Sequence, residues 1–471
     1  MLALAAALRL WRLSLPALTS DEAYSWRLTT YPAADLARRT AEDVHSPAFY
    51  LLLKGWLALA GESAFALRAL SVMLSLGALA LLFAAVREAG AGTAGALAAG
   101  VLFALHPLQL QQGRNARMYA LGLLLAALTS ALLLRVLRQP GRALGWWAAY
   151  GAAAALFVYA HYYALFTLAA QAVGALLLAR GRRAAVAAAL ALAAAVALAL
   201  LAPWLPALLD QARRVREEYW IPPATGRALL SAVLRWATGL AEGPIALAAL
   251  AGWVAVAGWG LARARAAASF FLLQAVLPWL LALVVSVAGG RPLFLERFTV
   301  FAQVALLALL GVAWSWIPRV PRLLAAAAIA AALLGGAGTF LHALPQEPPA
   351  LTEVVRYIRR WRRPGDVVVV DSPRALNKLL FYGQRDGLRE VPVRALPGVA
   401  GGGHYTHLSS LAPGELVPQV EAAAWGPRLW RASEQPHPVP PPPAGWSMGF
   451  ARVFEGGEGS RYLLVRYDRP R

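Results

Sequence analysis

Apolar runs of about twenty residues, parted by short polar connections, recur along the first three quarters of the chain. Each is long enough to cross roughly 30 Å of hydrocarbon as a helix. The runs lack the alternation that a closed transmembrane barrel needs. Too many also lack the polar face expected of a large water-soluble helical protein. Run lengths and breaks predict about eleven spans, near residues 1–18, 64–86, 91–110, 118–137, 145–160, 162–180, 184–208, 244–262, 266–288, 298–317 and 322–344. The opening MLALAAALRLWRLSLPAL is short for a span and has no small-residue cleavage site. It reads as a first transmembrane helix shortened at its start rather than as a signal peptide.

The pattern changes after residue 344. PQEPP breaks the apolar run, and LTEVVRYIRRWRR suits a helix with arginines in its last turn. PGDVVVVDSP reads as turn, buried strand, turn, and RALNKLLFYG as a second helix. PHPVPPPP at 436–443 is a polyproline loop, and GFARVFEGG and RYLLVRYD are expected to pair as strands. The fold class expected is therefore mainly α. A polytopic membrane domain over residues 1–344 is followed by a small soluble α/β domain over 345–471. No catalytic constellation stands out in the second domain, whose expected role is that of a lid or docking surface.

Composition agrees with this division: 59% of the 471 residues are hydrophobic and 14% charged. The net charge of +20 comes almost entirely from arginine and invites a nucleic-acid partner. Much of the arginine, however, falls in connections between apolar runs, where it orients the chain and meets lipid headgroups. No nucleic-acid module is recognisable, so membrane lipids rather than nucleic acid are the expected partners. Cysteine is absent, which excludes disulfides and thiolate metal sites.

Taken alternately, one set of connections is short and basic: Arg87, Arg135–Arg138–Arg142, RGRR at 180–183, RAR at 263–265 and PRVPR at 318–322. These read as cytoplasmic. The other set covers 19–63, 111–117, 159–163, 209–243, 289–297 and the C-terminal tail. It gathers Asp21, Glu22, Asp43, His45, Arg114, Arg117, His161, Tyr162, Tyr163, Glu217, Glu218, Tyr219, Trp220, Glu296 and Arg297. Acids, histidines and aromatics on one side mark an active extracytoplasmic face.

Four segments carry a resemblance: TSDEAYSW, DVHSPAFYLLLKGWLALAGESAFALRALS, RNARMYAL and YAHYYALFTLAAQ. In order and spacing they resemble the bacterial family-39 glycosyltransferases of the GT-C superfamily. That superfamily includes the protein O-mannosyltransferases and lipid A aminoarabinose transferases. The resemblance covers roughly the first 180 residues, and RPLFLERFTVFAQVALLALLG looks like a later family segment. It implies a GT-C helical core, a polyprenyl-phosphate-linked sugar donor and inverting transfer of a hexosyl or pentosyl group on the extracytoplasmic face. Two departures stand out. HSP replaces the more usual His-Pro-Pro, and Asn115 stands where the family often has an acid, which counts against a second acid there.

Transfer from a polyprenyl phosphate needs no acid at the leaving group, unlike glycosidases with their two carboxylates. It needs one base for the acceptor proton and cations for the departing phosphate. Asp21 is the expected base, with Glu22 second, or orienting the acceptor or the loop. Read from spacing alone, Ser-Asp-Glu is an acidic helix cap; the membrane edge and the resemblance turn the reading to catalysis. His45 either contacts the donor phosphate or is a loop histidine bonded to backbone. Asp43 with Asp21 offers oxygen ligands to a divalent cation such as Mg or Mn. Many members of the mannosyltransferase branch work without metal, and no cofactor is assigned. Arg117 matches the family motif and is expected on the phosphate; Arg114, three residues before it, is expected to snorkel toward headgroups. Arg297 is a second clamp, with Lys54 and Arg68 in reserve. Tyr119, His161, Tyr163 and Glu296 are expected at the substrate, although a tyrosine at an interface is also plain anchoring. EEYWIPP at 217–223 reads as such an anchor. A multi-span transporter or flippase of a lipid-linked sugar is the alternative. Transporters place ionisable groups near the midplane, often within inverted repeats, whereas here they cluster at one edge and no repeat is visible.

Overall fold

The computed structural model of the chain describes residues 1–138, 143–217, 225–239, 243–288, 296–318, 333–345, 348–385, 388, 391–396, 408–417, 421, 424, 426–434, 439–457 and 460–470. In chain order the helices are α1 Leu2–Leu10, α2 Ser20–Thr29, α3 Ala33–Glu42, α4 Ala48–Ala60, α5 Ala64–Glu88, α6 Thr93–Leu105, α7 Pro107–Arg114, α8 Tyr119–Arg138, α9 Ala143–Ala160 and α10 Ala164–Leu178. They continue as α11 Arg183–Leu201, α12 Leu205–Glu217, α13 Gly226–Thr238, α14 Pro244–Arg263, α15 Arg265–Ala288, α16 Val300–Trp314, α17 at 333–342, α18 Ala350–Trp361 and α19 Pro373–Arg385. The strands are β1 Val367–Val370, β2 Val393–Ala395, β3 Arg428–Glu434, β4 Ser447–Glu455 and β5 Arg461–Asp468. Two compact units result. One comprises Met1–Trp11, Ser46–Phe49 and Arg68–Leu341; the other comprises Arg12–His45, Tyr50–Leu67 and His342–Arg471.

The first unit is helical, and it makes this a multi-pass membrane protein. Among the described residues, the runs long and apolar enough to cross a membrane are Ala64–Glu88, Tyr119–Arg138, Arg183–Val215, Pro244–Arg263 and Arg265–Ala288. Helices α6 and α7 bend by 66° at His106–Pro107 and count as a sixth if taken as one broken span. Four further apolar helices are shorter. The expected count of about eleven spans is thus not confirmed. The first expected span, 1–18, stops at Leu10, and Arg12 takes a left-handed φ of 49° that no helix continues. The last, 322–344, lies partly outside the described residues. Helix α16, apolar but for Gln303, is buried from Val300 to Ala313, as such a helix at the centre of a bundle should be. A Cβ on Gly95 of α6 would strike the Gly311 carbonyl of α16. These helices therefore pack backbone to backbone, as small residues permit in lipid.

The second unit carries the α/β fold expected of the tail. Its sheet has the order β2-β1-β3-β5-β4, with β1 parallel to β2 and β3, and β5 antiparallel to β3 and β4. GFARVFEGG and RYLLVRYD pair as expected. Strand β1 is buried throughout, and its valines alternate between two apolar layers. Val368 and Val370 face Leu351, Val354 and Ile358 of α18 and Leu376 of α19; Val367 and Val369 face Leu429 and Val465. Helix α2 rests on α19, where the Trp26 and Phe381 rings meet edge-on at 5.3 Å. Of the polyproline loop, residues 436–438 lie outside the described residues and 439–443 have no regular structure.

Candidate active site

The candidate residues divide between the two units. In the second, Asp21 and Glu22 occupy the first turn of α2, and Thr19 caps that helix. The Glu22 amide donates to Thr19 Oγ1 at 3.1 Å, and Glu22 Oε2 accepts from the Thr19 amide at 3.0 Å. This reciprocal capping box satisfies helix-end groups that would otherwise lack partners. Glu22 is buried in it, whereas Asp21 is half-buried. The acidic-cap reading thus describes Glu22, and the neighbouring carboxylate is left out of the cap.

Asp43 ends α3 and is buried. Its Oδ2 accepts from the Tyr24 hydroxyl at 2.6 Å and lies 3.0 Å from His45 Nδ1. Burial alone would raise this carboxyl, but His45, the Tyr24 hydroxyl and the Val44 amide outweigh it and hold it below the usual value. Tyr24 moves the other way: burial first, then the Asp43 charge, push its phenol well above the ordinary value. It therefore remains a neutral donor. Tyr50 packs edge-on against both the Tyr24 and His45 rings. Lys54, on α4, donates to the Thr29 carbonyl at 2.9 Å and so holds the C-terminal end of α2.

Residues 409–415 clasp this acidic segment. Ser409 Oγ lies 3.0 Å from the Tyr24 hydroxyl, and Arg39 donates to the Ser409 and Leu411 carbonyls at 2.6 and 2.8 Å. Arg27 pairs with Glu415 at 2.6 Å. Tyr24 stood in the quoted motif without an assigned role. Its place three residues after Asp21 on one helix was the available signal.

In the first unit, Arg117 is buried in the turn between α7 and α8, and Tyr119 opens α8. His161 follows α9, and its Nδ1 accepts from the Tyr163 amide at 3.2 Å. Around its ring stand Tyr119 at 5.8 Å, Tyr163 at 5.6 Å, Phe298 at 5.2 Å and Phe301 at 5.1 Å. The Arg297 guanidinium lies 5.6 Å from the Phe298 ring. The fold thus gathers Tyr119, His161 and Tyr163 into one aromatic cluster, with Arg117 two residues from one side of it and Arg297 adjoining the other. Phe298 and Phe301 had carried no functional reading, and a phenylalanine in an apolar run gives none. Glu296 begins the turn Glu296–Phe298, but its side chain lies outside the described residues, as does 218–223 of the expected aromatic anchor.

A buried amide bond links the segments bearing the two arginines. Gln109 of α7 donates to Gln303 of α16 at 2.6 Å, Gln303 donates to the Trp236 carbonyl, and the Trp236 indole donates to the Thr299 carbonyl at 3.2 Å. Thr299 is two residues after Arg297. Arg114 neither snorkels nor faces solvent. It is buried, and its Nη1 donates to the carbonyls of Leu8, Arg9 and Trp11 at 3.2, 2.9 and 2.7 Å. A guanidinium at the end of α1 satisfies its last carbonyls and its negative pole together. Arg68, a reserve candidate, is also buried in this unit. Among the described residues no three His, Asp or Glu side chains converge as metal ligands would. The Asp43 oxygen nearest its neighbours is engaged by Tyr24 and His45.

Residues 44–206 match the family described as dolichyl-phosphate-mannose-protein mannosyltransferase. The segment includes His45, Lys54, Arg117, Tyr119, His161 and Tyr163; Asp21 and Arg297 lie outside it. No curated protein matches the sequence. Among solved structures, ArnT from Cupriavidus metallidurans in the apo state superposes with a TM-score of 0.62 at 15% identity, covering 98% of this chain and 96% of that one. The same protein bound to undecaprenyl phosphate gives 0.62 at 14% identity, covering 99% and 97%. The oligosaccharyltransferase of Archaeoglobus fulgidus gives 0.55 at 12%, covering 92% and 69%. By sequence over residues 44–206 and by fold over nearly all its length, the chain resembles the GT-C glycosyltransferases, the protein mannosyltransferases and ArnT among them.

Proposed function

We propose that the protein is an inverting glycosyltransferase that moves a sugar from a polyprenyl phosphate to an acceptor on the extracytoplasmic face of the plasma membrane. The observation that carries this reading is the fold shared, along nearly the whole chain, with an ArnT that holds undecaprenyl phosphate. In this reading residues 1–344 are the membrane-embedded catalytic domain and 345–471 an extracytoplasmic domain.

Asp21 takes the acceptor proton as the acceptor oxygen or nitrogen attacks the anomeric carbon. The bond to the phosphate oxygen breaks on the opposite face, so the anomeric centre inverts. The polyprenyl phosphate leaves as a weakly basic anion, and Arg117 and Arg297 balance its charge. Glu22 is held in the capping box, and Asp21 stands beside it in the first turn of the same helix, which supports reading Glu22 as the orienting acid and Asp21 as the base. His161, Tyr119 and Tyr163 offer an aromatic face with one polar edge, suited to a sugar or to the start of the prenyl chain. His45 and Lys54 reinforce the acidic segment through Asp43 and Thr29.

Purified protein incubated with a panel of polyprenyl-phosphate sugars should release polyprenyl phosphate with at least one of them. Sugar transport across sealed vesicles without any cleavage would favour a flippase instead.

A further inference from the structure

The end of the helical unit opposite in character to the aromatic cluster carries a cavity that the proposed reaction does not use. The last turn of α8 and the first turns of α9 and α11 line an open groove of about 330 Å³. Val136, Leu137, Leu144, Trp147, Val186 and Leu192 line it, so its wall is hydrocarbon. Trp147 is buried at its base, while Leu144 is exposed at its mouth. Among the described residues the charged lining residue is Arg182, whose Nη2 donates to the Leu137 carbonyl at 3.3 Å. That bond leaves most of the guanidinium's donors on the solvent side, where the residue is exposed.

The rim is cationic in excess. Arg180 and Arg183 stand within two residues of Arg182 and are exposed, as is Arg138 at the end of α8. The acid beside them is Glu88, which Arg135 and Arg138 already approach at 3.4 and 3.9 Å. Helix α11 starts here without a side-chain cap and adds its positive pole. A groove at the lower end of ligand-sized volumes, apolar within and basic at the mouth, matches a molecule with one hydrocarbon chain and one anionic head. We propose that it binds an anionic phospholipid, with part of one acyl chain against Trp147 and the phosphate at Arg182 and Arg183. Basic pockets between transmembrane helices hold anionic headgroups in this way. The proposal does not depend on the transferase reading.

Full-length protein in detergent is offered equal phosphatidylglycerol and phosphatidylcholine, and retained lipid is counted by native mass spectrometry. One phosphatidylglycerol should be retained in preference to phosphatidylcholine. Arg182→Gln with Arg183→Gln should lower that preference about thirtyfold. Arg263→Gln with Arg265→Gln, between α14 and α15, should leave it unchanged. Acyl-brominated phosphatidylglycerol should quench a fraction of the tryptophan emission that Trp147→Phe no longer shows. Equal retention of the two lipids, an equal loss in both double variants, or displacement of the lipid by millimolar inorganic phosphate would overturn the assignment.

Discussion

The Tyr24 hydroxyl donates to Asp43 Oδ2 at 2.6 Å, with both side chains buried. A phenol has one hydrogen, so the 3.0 Å contact to Ser409 runs the other way, with the serine donating. Serine, tyrosine and carboxylate thus form a directed chain that ends at His45 and fixes the helix bearing Asp21 against the end of α3.

Tyr24→Phe should lower stability by about 1–3 kcal/mol, because a buried carboxylate loses a donor that nothing replaces. Thermal unfolding in detergent measures this. The acid limb provides a second check. Asp43 titrates below its ordinary value in the folded protein. Its contribution is therefore complete above the unfolded value, near 4, and disappears as pH falls through the folded one. Wild type should lose melting temperature steeply below about pH 4, and Tyr24→Phe should lose less over that range.

Asp21→Asn should abolish transfer while folding and donor binding persist. Glu22→Gln, which keeps a capping box, should retain activity within a few fold. Glu22→Ala should cost about 1 kcal/mol of stability. An Asp21→Asn enzyme turning over at the wild-type rate would remove it as the base.

Arg297→Ala should weaken donor binding by about tenfold or more, the size of a lost bond to a charged group, with acceptor affinity little changed. Arg114→Ala should show the opposite profile: reduced thermal stability, because three carbonyls of α1 lose their donor. Isothermal titration with the polyprenyl phosphate separates the two, and an unaltered donor affinity in Arg297→Ala would count against a clamp.

A topology reporter fused after residue 345 should report a position outside the cytoplasm, as the short basic connections require. A cytoplasmic signal would reverse every assignment of sides.

Helices were legible where an uninterrupted apolar run met a polar break. The run at 64–86 was bounded to within two residues of α5, and the single strand VVVV was placed by its four valines. The first span failed because its apolar letters continue to Leu18, while the helix ends at Leu10, before Arg12 turns left-handed. Helix α4 carried no span assignment, since Lys54 interrupts its apolar run. At the candidate site, residue types were legible but their partners were not. That Glu22 forms the cap needed the Thr19 geometry. The role of Arg114 depended on carbonyls more than 100 residues away, a separation that no local pattern records.

The clasp on the acidic segment also has a temporal meaning. Arg27 and Glu415 are 388 residues apart, and Tyr24 and Ser409 are 385 apart. At ordinary translation speeds the earlier member of each pair waits on the order of half a minute for the later one. The segment that carries Asp21 is thus made well before the residues that secure it. A chain lacking residues 409–415 would hold the helices of the first unit and still lack this fastening.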